Sequence, residues 1–191
     1  MKKQTWKTIK FLFILTFLTG IIYPIFITSL SRIIFPDKAE GSLIISDGRV
    51  IGSELIGQKF DSVAYFWSRP SAIDYSPIPS GASNLGPTSD KLLKMAKERK
   101  ARFINENFLD SNITIPAEMI HASASGLDPH ISPNAALLQV ERICKVRNFS
   151  SDEKQTLLSI IDKQTEKPQY LIFGEERINI LLLNLELDKI Q

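Results

Sequence analysis

The longest apolar stretch of the chain covers residues 11–31, which lie between Lys10 and Arg32 and include no charged residue. A helix of these 21 residues would be about 31 Å long, close to the thickness of the hydrocarbon core of a bilayer. The pattern therefore predicts one membrane-spanning helix over residues 11–31. Residues 1–10 would form a short tail before it, and residues 36–191 one domain after it.

A cleavable signal peptide is the competing interpretation of this stretch. Such a peptide has an apolar core of about 7–15 residues, followed by small residues at the cleavage site. Here the core is longer, and the bulky residues Ile33, Ile34 and Phe35 follow it. A retained anchor is therefore favoured. Pro24 inside the stretch does not argue against a span, because membrane helices accommodate proline.

Basic residues are distributed unevenly about the apolar stretch. Residues 1–35 carry five of the 23 Lys and Arg residues and none of the 21 acidic ones, so the rest of the chain has a net charge of −3. Because Lys and Arg are enriched on the cytoplasmic side of membrane helices, we expect the amino terminus inside and the domain outside the membrane. The mildly acidic domain also lacks the basic patch of a nucleic-acid-binding protein.

After the apolar stretch, the pattern predicts a hairpin and then a helix. Residues 43–45 and 49–51 are β-prone, and Asp47-Gly48 between them is typical of a tight hairpin turn. Residues 91–107 carry apolar side chains spaced for one face of a helix, and potential capping residues precede them.

Two further helices are predicted from their starting residues. Ser132-Pro133 is a typical helix start, because proline needs no amide hydrogen at the first helical position. This helix should reach about Arg147. Ser150 and Glu153 have the spacing of a capping box, which opens the next helix.

The remaining segments have weaker patterns. Residues 113–115 and 117–120 look extended, whereas the leucine-rich residues 178–190 fit either a helix, which we favour, or an alternating strand. Residues 68–87 are rich in Ser, Pro and Gly without any period, so they form a long loop that is either functional or disordered. The fold class indicated is α+β: a single N-terminal transmembrane helix followed by one mixed domain with a small sheet.

Several kinds of chemistry have no support in the sequence. There is no phosphate-binding Gly-x-x-x-x-Gly-Lys-Ser/Thr loop, no Asp-Lys-Thr-Gly motif of P-type pumps and no Thr-Val-Gly-Tyr-Gly potassium filter. His121 and His130 are the only histidines, and no Cys/His spacing typical of a metal site surrounds them. The single cysteine, Cys144, is expected to be a small core residue. We therefore predict neither a catalytic site nor a metal site.

The segment SASGLDPHISP, residues 123–133, is the most distinctive candidate for a functional loop. Its small residues, glycine and Asp-Pro step describe a tightly folded loop before a capped helix, where amide donors could bind an anion. Asp128 and His130 fit a catalytic or metal-binding role, or a structural role in which they brace the loop. Gln139 falls about two turns into the helix, and its amide can both donate and accept hydrogen bonds.

With these segments in view, the chain resembles the C subunit of the bacterial Kdp-type potassium-transporting ATPase, the KdpC family. The resemblance covers nearly the whole chain. It rests on the order and spacing of several segments: GSLI at 41–44, GSELIGQ at 52–58, YFWSRPSA at 65–72, SGASNLGPTS at 80–89, SASGLDPHISP at 123–133 and GEERINILLLNLELD at 174–188.

The resemblance implies a role in a complex that imports potassium using ATP. The implied partners are a channel-like potassium-binding subunit, a P-type ATP-hydrolysing subunit and a small fourth subunit, in addition to membrane lipid. It also implies a non-enzymatic chain with no tightly bound cofactor, which acts as a catalytic chaperone and raises the ATP affinity of the pump subunit. A direct nucleotide contact is implied for Gln139, with Ser125 and Gly126 as neighbours; Asp128 and His130 belong to the family's loop.

This implied contact conflicts with the charge distribution, because ATP is cytoplasmic and Gln139 is expected outside. Our hypothesis is that the outer domain docks over the outer mouth of the channel-like subunit and affects ATP indirectly. Without the resemblance, the alternative is a membrane-anchored extracytoplasmic sensor or binding module.

Overall fold

The computed structural model of the protein describes residues 2–46 and 48–190. It contains two compact units, of which the first ends at Ile51 and the second begins at Gly52. The domain limits drawn from the sequence stay a prediction.

The first unit is dominated by one long apolar helix. Its membrane-length stretch, Lys3–Ile34, has a mean hydropathy of 2.2 in its most apolar window, and buries none of that window. It is the one helix among the described residues that is long and apolar enough to cross a membrane. The helix extends beyond the predicted residues 11–31 at both ends.

A π-helical turn interrupts this helix just before its proline. The helix consists of α1 (Lys2–Phe17), the π turn (Leu18–Ile22) and α2 (Tyr23–Ile34). The amide of Tyr23 donates to the carbonyl of Leu18, five residues earlier. Pro24 has no amide hydrogen, and its ring would collide with the carbonyl of Gly20 in a regular α-helix. The π turn locally changes the hydrogen-bond pattern where the proline would otherwise break it.

A short helix and a hairpin follow. The helix α3 (Pro36–Ala39) precedes β1 (Leu43–Ser46) and β2 (Arg49–Ser53), which pair as a two-stranded sheet. The predicted hairpin is therefore confirmed, although Asp47 of its turn lies outside the described residues.

The second unit is mainly helical, with a second two-stranded sheet. Strands β3 and β4 pair antiparallel, with His130 opposite Asn179 and Ile131 opposite Ile178. The predicted mixed fold with a small sheet is therefore confirmed, and the described residues form two such sheets. Its helices and strands are α4 (Asp90–Glu106), a 3₁₀ turn (Ala117–Met119), β3 (His130–Ile131), α5 (Pro133–Leu137), α6 (Val140–Arg147), α7 (Ser151–Gln164), β4 (Ile178–Asn179) and α8 (Ile180–Leu187).

Serine side chains cap the starts of three helices, as the sequence predicted. Ser89 accepts a hydrogen bond from the amide of Leu92 at the start of α4. Ser132 caps α5 in the same way. Ser150 and Glu153 form the complete capping box of α7. These caps satisfy amide groups that a helix leaves without an internal partner.

The single helix expected from Ser132-Pro133 to Arg147 is in fact two helices. The break falls at Leu138 and Gln139, between α5 and α6. Here the amide of Gln139 donates to the carbonyl of Ala136, three residues earlier, which is a tighter turn than an α-helix makes.

Two other expectations need correction. Residues 117–120 are not extended: a 3₁₀ turn follows Pro116 and buries Met119, so apolar residues there reflect a packed turn. Residues 113–115 form no strand either. Residues 178–190 combine both expected structures, because Asn179 ends β4 and its side chain caps α8.

The core of the second unit combines helical residues with residues from the long irregular segment. Residues 57–89 contain no helix or strand, yet Phe66 and Trp67 within them are buried. Cys144 is also buried, as predicted. The start of the irregular segment therefore belongs to the folded core. The order of the predicted loop, residues 68–87, stays a prediction. Among the further core members, Phe103, Ile143, Leu157, Ile161, Leu183 and Leu187 come from α4 and α6–α8.

Candidate functional site

The loop of residues 123–133, which we call the motif loop, packs on the irregular segment that precedes α4. Three backbone hydrogen bonds join the two: Ser123 donates to Pro70 at 3.3 Å, Gly81 donates to Ser125 at 3.0 Å, and Gly57 donates to Leu127 at 2.7 Å. Because buried backbone groups need such partners, each segment gives order to the other.

Two glycines allow this close approach. Gly126 has a φ of +71°, and a Cβ atom there would lie 2.5 Å from Cγ1 of Ile73. A Cβ atom on Gly57 would lie 2.7 Å from the carbonyl oxygen of Asp128. Gly126 is accordingly buried, whereas its neighbour Ser125 is exposed and accepts a hydrogen bond from Leu127.

Asp128 holds the motif loop to Arg69. Its Oδ2 accepts a 2.8 Å hydrogen bond from Nη1 of Arg69, and its Oδ1 accepts a 3.0 Å bond from the amide of His130. Nδ1 of His130 lies 3.5 Å from the same Oδ1. Burial by itself would raise the pKa of Asp128, but the hydrogen bonds from His130 and Arg69 outweigh it, so the pKa lies below its ordinary value.

Through these contacts Asp128 and His130 brace the motif loop. This is the geometry expected if their role is structural. Both residues line an open groove together with Arg69, Glu118 and Arg177. No group of three His, Cys, Asp or Glu side chains that could hold a metal ion occurs among residues 2–46 and 48–190.

Gln139 is completely buried and bound within the domain. Its Oε1 accepts hydrogen bonds from the amide of Trp67 at 2.7 Å and from Nη2 of Arg142 at 2.9 Å. Its Nε2 donates to the carbonyl of Ala135 at 3.1 Å. The structure thus places Gln139 in the core and Ser125 at the surface. The nucleotide contact of Gln139, Ser125 and Gly126 stays a prediction.

Arg142 is a buried cation that the sequence analysis missed. Its guanidinium lies 4.5 Å from the centre of the Trp67 ring, and its Nε donates to Asn107 at 2.9 Å. A further hydrogen bond goes from its Nη1 to the carbonyl of Val63. Burial lowers the pKa of Arg142 to about 10, so the group remains charged at neutral pH.

A second arginine reaches the same tryptophan. Arg102 of α4 has its guanidinium 4.5 Å from the centre of the Trp67 ring, and Phe103 meets that ring edge-on at 6.2 Å. Both Trp67 and Arg102 line a cavity of about 290 Å³ with Lys59 and Arg99. Ser125, Gly126 and Gln139 are not among the residues that line it. The only signal in the sequence for this cluster is the compact aromatic segment at residues 65–67.

A membrane-length helix followed by a small domain, with motif residues that brace one another, is consistent with a single-pass membrane protein. The family model described as "K+-transporting ATPase, c chain" matches residues 5–189 of this chain. The chain therefore belongs to this family, KdpC, and is a non-catalytic subunit of the Kdp potassium-transporting ATPase. The resemblance found in the sequence is confirmed.

Individual relatives match along nearly the whole chain. The potassium-transporting ATPase KdpC subunit of Geotalea uraniireducens (strain Rf4) is 44% identical over 192 residues, which cover 98% of each chain. The KdpC subunit of Dechloromonas aromatica (strain RCB) is 40% identical over 193 residues, which cover 100% of this chain and 99% of the relative. That of Caldanaerobacter subterraneus subsp. tengcongensis is 40% identical over 187 residues, with 98% and 95% covered.

Proposed function

We propose that this subunit keeps its amino terminus in the cytoplasm and its domain outside the bacterial plasma membrane. The support is the charge distribution: Lys2, Lys3, Lys7 and Lys10 precede the apolar helix without any acidic residue. After the helix, basic and acidic residues are mixed, as in Asp37, Lys38 and Glu40.

In this orientation the domain docks on the channel-like potassium-binding subunit, within a complex that also holds the ATP-hydrolysing subunit and the small fourth subunit. Its net charge of −3 modestly favours cations near the outer mouth of the channel. The subunit assists assembly of the complex and raises the ATP affinity of the pump subunit.

The effect on ATP is indirect, as a coupling free energy between distant sites. The observation that carries this proposal is the position of Gln139, whose amide oxygen is bound by Trp67 and Arg142 in the core. A nucleotide could reach that amide only after the core had opened. ATP itself therefore binds the ATP-hydrolysing subunit, and this chain holds no nucleotide tightly.

Cysteine labelling tests the orientation. Cys144 gives little background, because it is 8% exposed and burial raises the pKa of its thiol. Ser111→Cys adds an exposed thiol to the domain, and Gln4→Cys adds one to the amino-terminal tail. A membrane-impermeant maleimide should label Ser111→Cys in intact spheroplasts and should spare Gln4→Cys. The reverse pattern would show that the domain is cytoplasmic.

Gln139→Glu tests the indirect effect on ATP. The glutamate keeps an acceptor for Trp67 and Arg142, but it places a negative charge where direct contact would bring a nucleotide. With purified complex, we expect the KM for ATP and the affinity for nucleotide to stay unchanged, whereas a complex without this subunit loses affinity. A marked loss of affinity in Gln139→Glu, with an unchanged melting temperature, would support direct contact.

A further inference from the structure

Four consecutive apolar residues of the second unit are largely exposed. Tyr170, Leu171, Ile172 and Phe173 are 87%, 81%, 78% and 64% exposed. We call residues 170–173 the apolar tip. Single exposed apolar residues are common on protein surfaces, but a contiguous group is typical of an interaction site.

The apolar tip is held out from the domain by a small hairpin between α7 and β4. At its base, Glu166 and Arg177 exchange backbone hydrogen bonds of 2.8 and 3.1 Å, and their side chains form an ion pair at 2.9 Å. Nearer the tip, Gln169 and Phe173 exchange backbone bonds of 2.8 and 2.9 Å. The tip is therefore presented on a defined support.

The turn at the tip uses residues that its backbone does not favour. Tyr170 and Leu171 have φ angles of +53° and +63°. Tight hairpin turns with two positive φ angles strongly prefer Asn-Gly or Asp-Gly. Two large apolar side chains thus occupy exposed positions where small or polar residues would be more favourable. Such local conflicts are expected at functional sites.

The charges of the hairpin indicate what the tip binds. Residues 166–177 carry three acidic and two basic residues, a net charge of −1, with Glu175 and Glu176 following the tip closely. Segments that lie in the lipid interface are usually rich in Lys and Arg beside their apolar face. Two acids beside the tip favour instead a protein surface with an apolar recess and basic side chains at its edge.

We propose that the apolar tip inserts into an apolar recess, edged by basic side chains, on another subunit of the potassium-transporting ATPase. Tyr170 and Phe173 supply the aromatic groups that commonly dominate binding energy at interfaces. This proposal rests on one part of the proposed function, namely that the domain docks on the rest of the complex. It does not depend on which side of the membrane the domain lies.

A photo-crosslinking amino acid at position 171 tests the contact in the assembled complex. The same amino acid at position 78 is the matched control, because Ile78 is 86% exposed on a different loop. We expect position 171 to crosslink to another subunit of the ATPase and position 78 to give little or no such product. Crosslinking to a second copy of this chain, to lipid only, or equally from both positions would overturn the proposal.

Tyr170→Asn combined with Leu171→Gly tests the energetic role of the tip. This change gives the turn its preferred residues, so the domain should remain folded with an unchanged or higher melting temperature. We expect the amount of chain retained on a tagged ATP-hydrolysing subunit in mild detergent to fall by about tenfold, the scale of an interface hot spot. Ile78→Ser should be retained like the native chain.

Two further results complete the test. Ile172→Ser leaves both positive-φ residues in place and should also weaken retention on the tagged ATP-hydrolysing subunit. If Ile172→Ser and the Tyr170→Asn/Leu171→Gly variant were both retained like the native chain, the proposal would be overturned. If cysteine labelling places the domain in the cytoplasm while position 171 still crosslinks to another subunit, the proposed orientation fails and the docking of the tip stands.

Discussion

The side-chain amide of Asn184 in α8 makes both hydrogen bonds that a neighbouring strand would make to Phe66. Its Oδ1 accepts from the amide of Phe66 at 2.9 Å, and its Nδ2 donates to the carbonyl of Phe66 at 3.0 Å. Gln139 accepts from the amide of the next residue, Trp67. Two buried amide side chains therefore hold an irregular segment in the core, where its backbone groups have no water to bind.

Asn184→Ala should destabilise the domain strongly. The substitution leaves the amide and the carbonyl of Phe66 buried without these partners, and each such group costs about 1–3 kcal/mol. We expect the free energy of unfolding to fall by about 2–5 kcal/mol, measured by denaturant titration of the full chain in detergent. Asn112→Ala at an exposed position is the control, with an expected change within about 0.5 kcal/mol. Equal effects of the two changes would contradict this role of Asn184.

Arg142→Met should also lower the free energy of unfolding, by about 3 kcal/mol. The methionine fills much of the same space, but Asn107 and the carbonyl of Val63 lose their donor. Trp67 fluorescence in a Trp6→Phe background reports the transition, since these are the two tryptophans of the chain. Arg142→Lys should be intermediate, because an ammonium group lacks the planar fork and the stacking of a guanidinium. Native stability of Arg142→Met would mean that the buried charge contributes no net stability.

Gly126→Ala should destabilise the packing of the motif loop. The positive φ is unfavourable for alanine, and the new Cβ atom would lie too close to Ile73. We expect a loss of about 2–4 kcal/mol in the free energy of unfolding. Gly81→Ala is the matched control in the facing segment, because a Cβ atom there meets nothing within 4 Å. Equal stability of Gly126→Ala and Gly81→Ala would contradict the prediction that residue 126 must be glycine.

Asp128 should make the stability of the domain depend on pH in the acid range. A carboxyl group whose pKa is lowered by folding stabilises the native state above its unfolded pKa, and this contribution is lost as the pH falls through the folded pKa. Asp128→Asn should therefore be less stable than the native chain at pH 7, with a difference that shrinks below about pH 4. Melting temperatures from pH 7 to pH 3 measure this, with exposed Glu175→Gln as the control. A constant difference across that range would contradict the prediction.

The motif loop shows the limit of what sequence patterns can predict about a site. Its compact shape, the cap at Ser132 and two possible roles for Asp128 were all evident from local spacing. The residue that pairs with Asp128 was not, because Arg69 is 59 positions away in the sequence. Trp67, Arg142 and Asn184 were missed for the same reason, because Gln139, Asn107 and Phe66, their respective partners, are 72, 35 and 118 positions away.

The sequence by itself determined the features that depend on neighbouring residues. The membrane-length helix, the paired strands β1 and β2 that follow it, the serine caps and the capping box at Ser150 all depend on local hydrogen bonding and side-chain period. Only the tertiary structure decided that Gln139 is buried, that the helix after Ser132 breaks, and that residues 65–67 enter the core. The physical reason is that buried polar groups need hydrogen-bond partners. Which partners they find is decided only when segments distant in the sequence pack together.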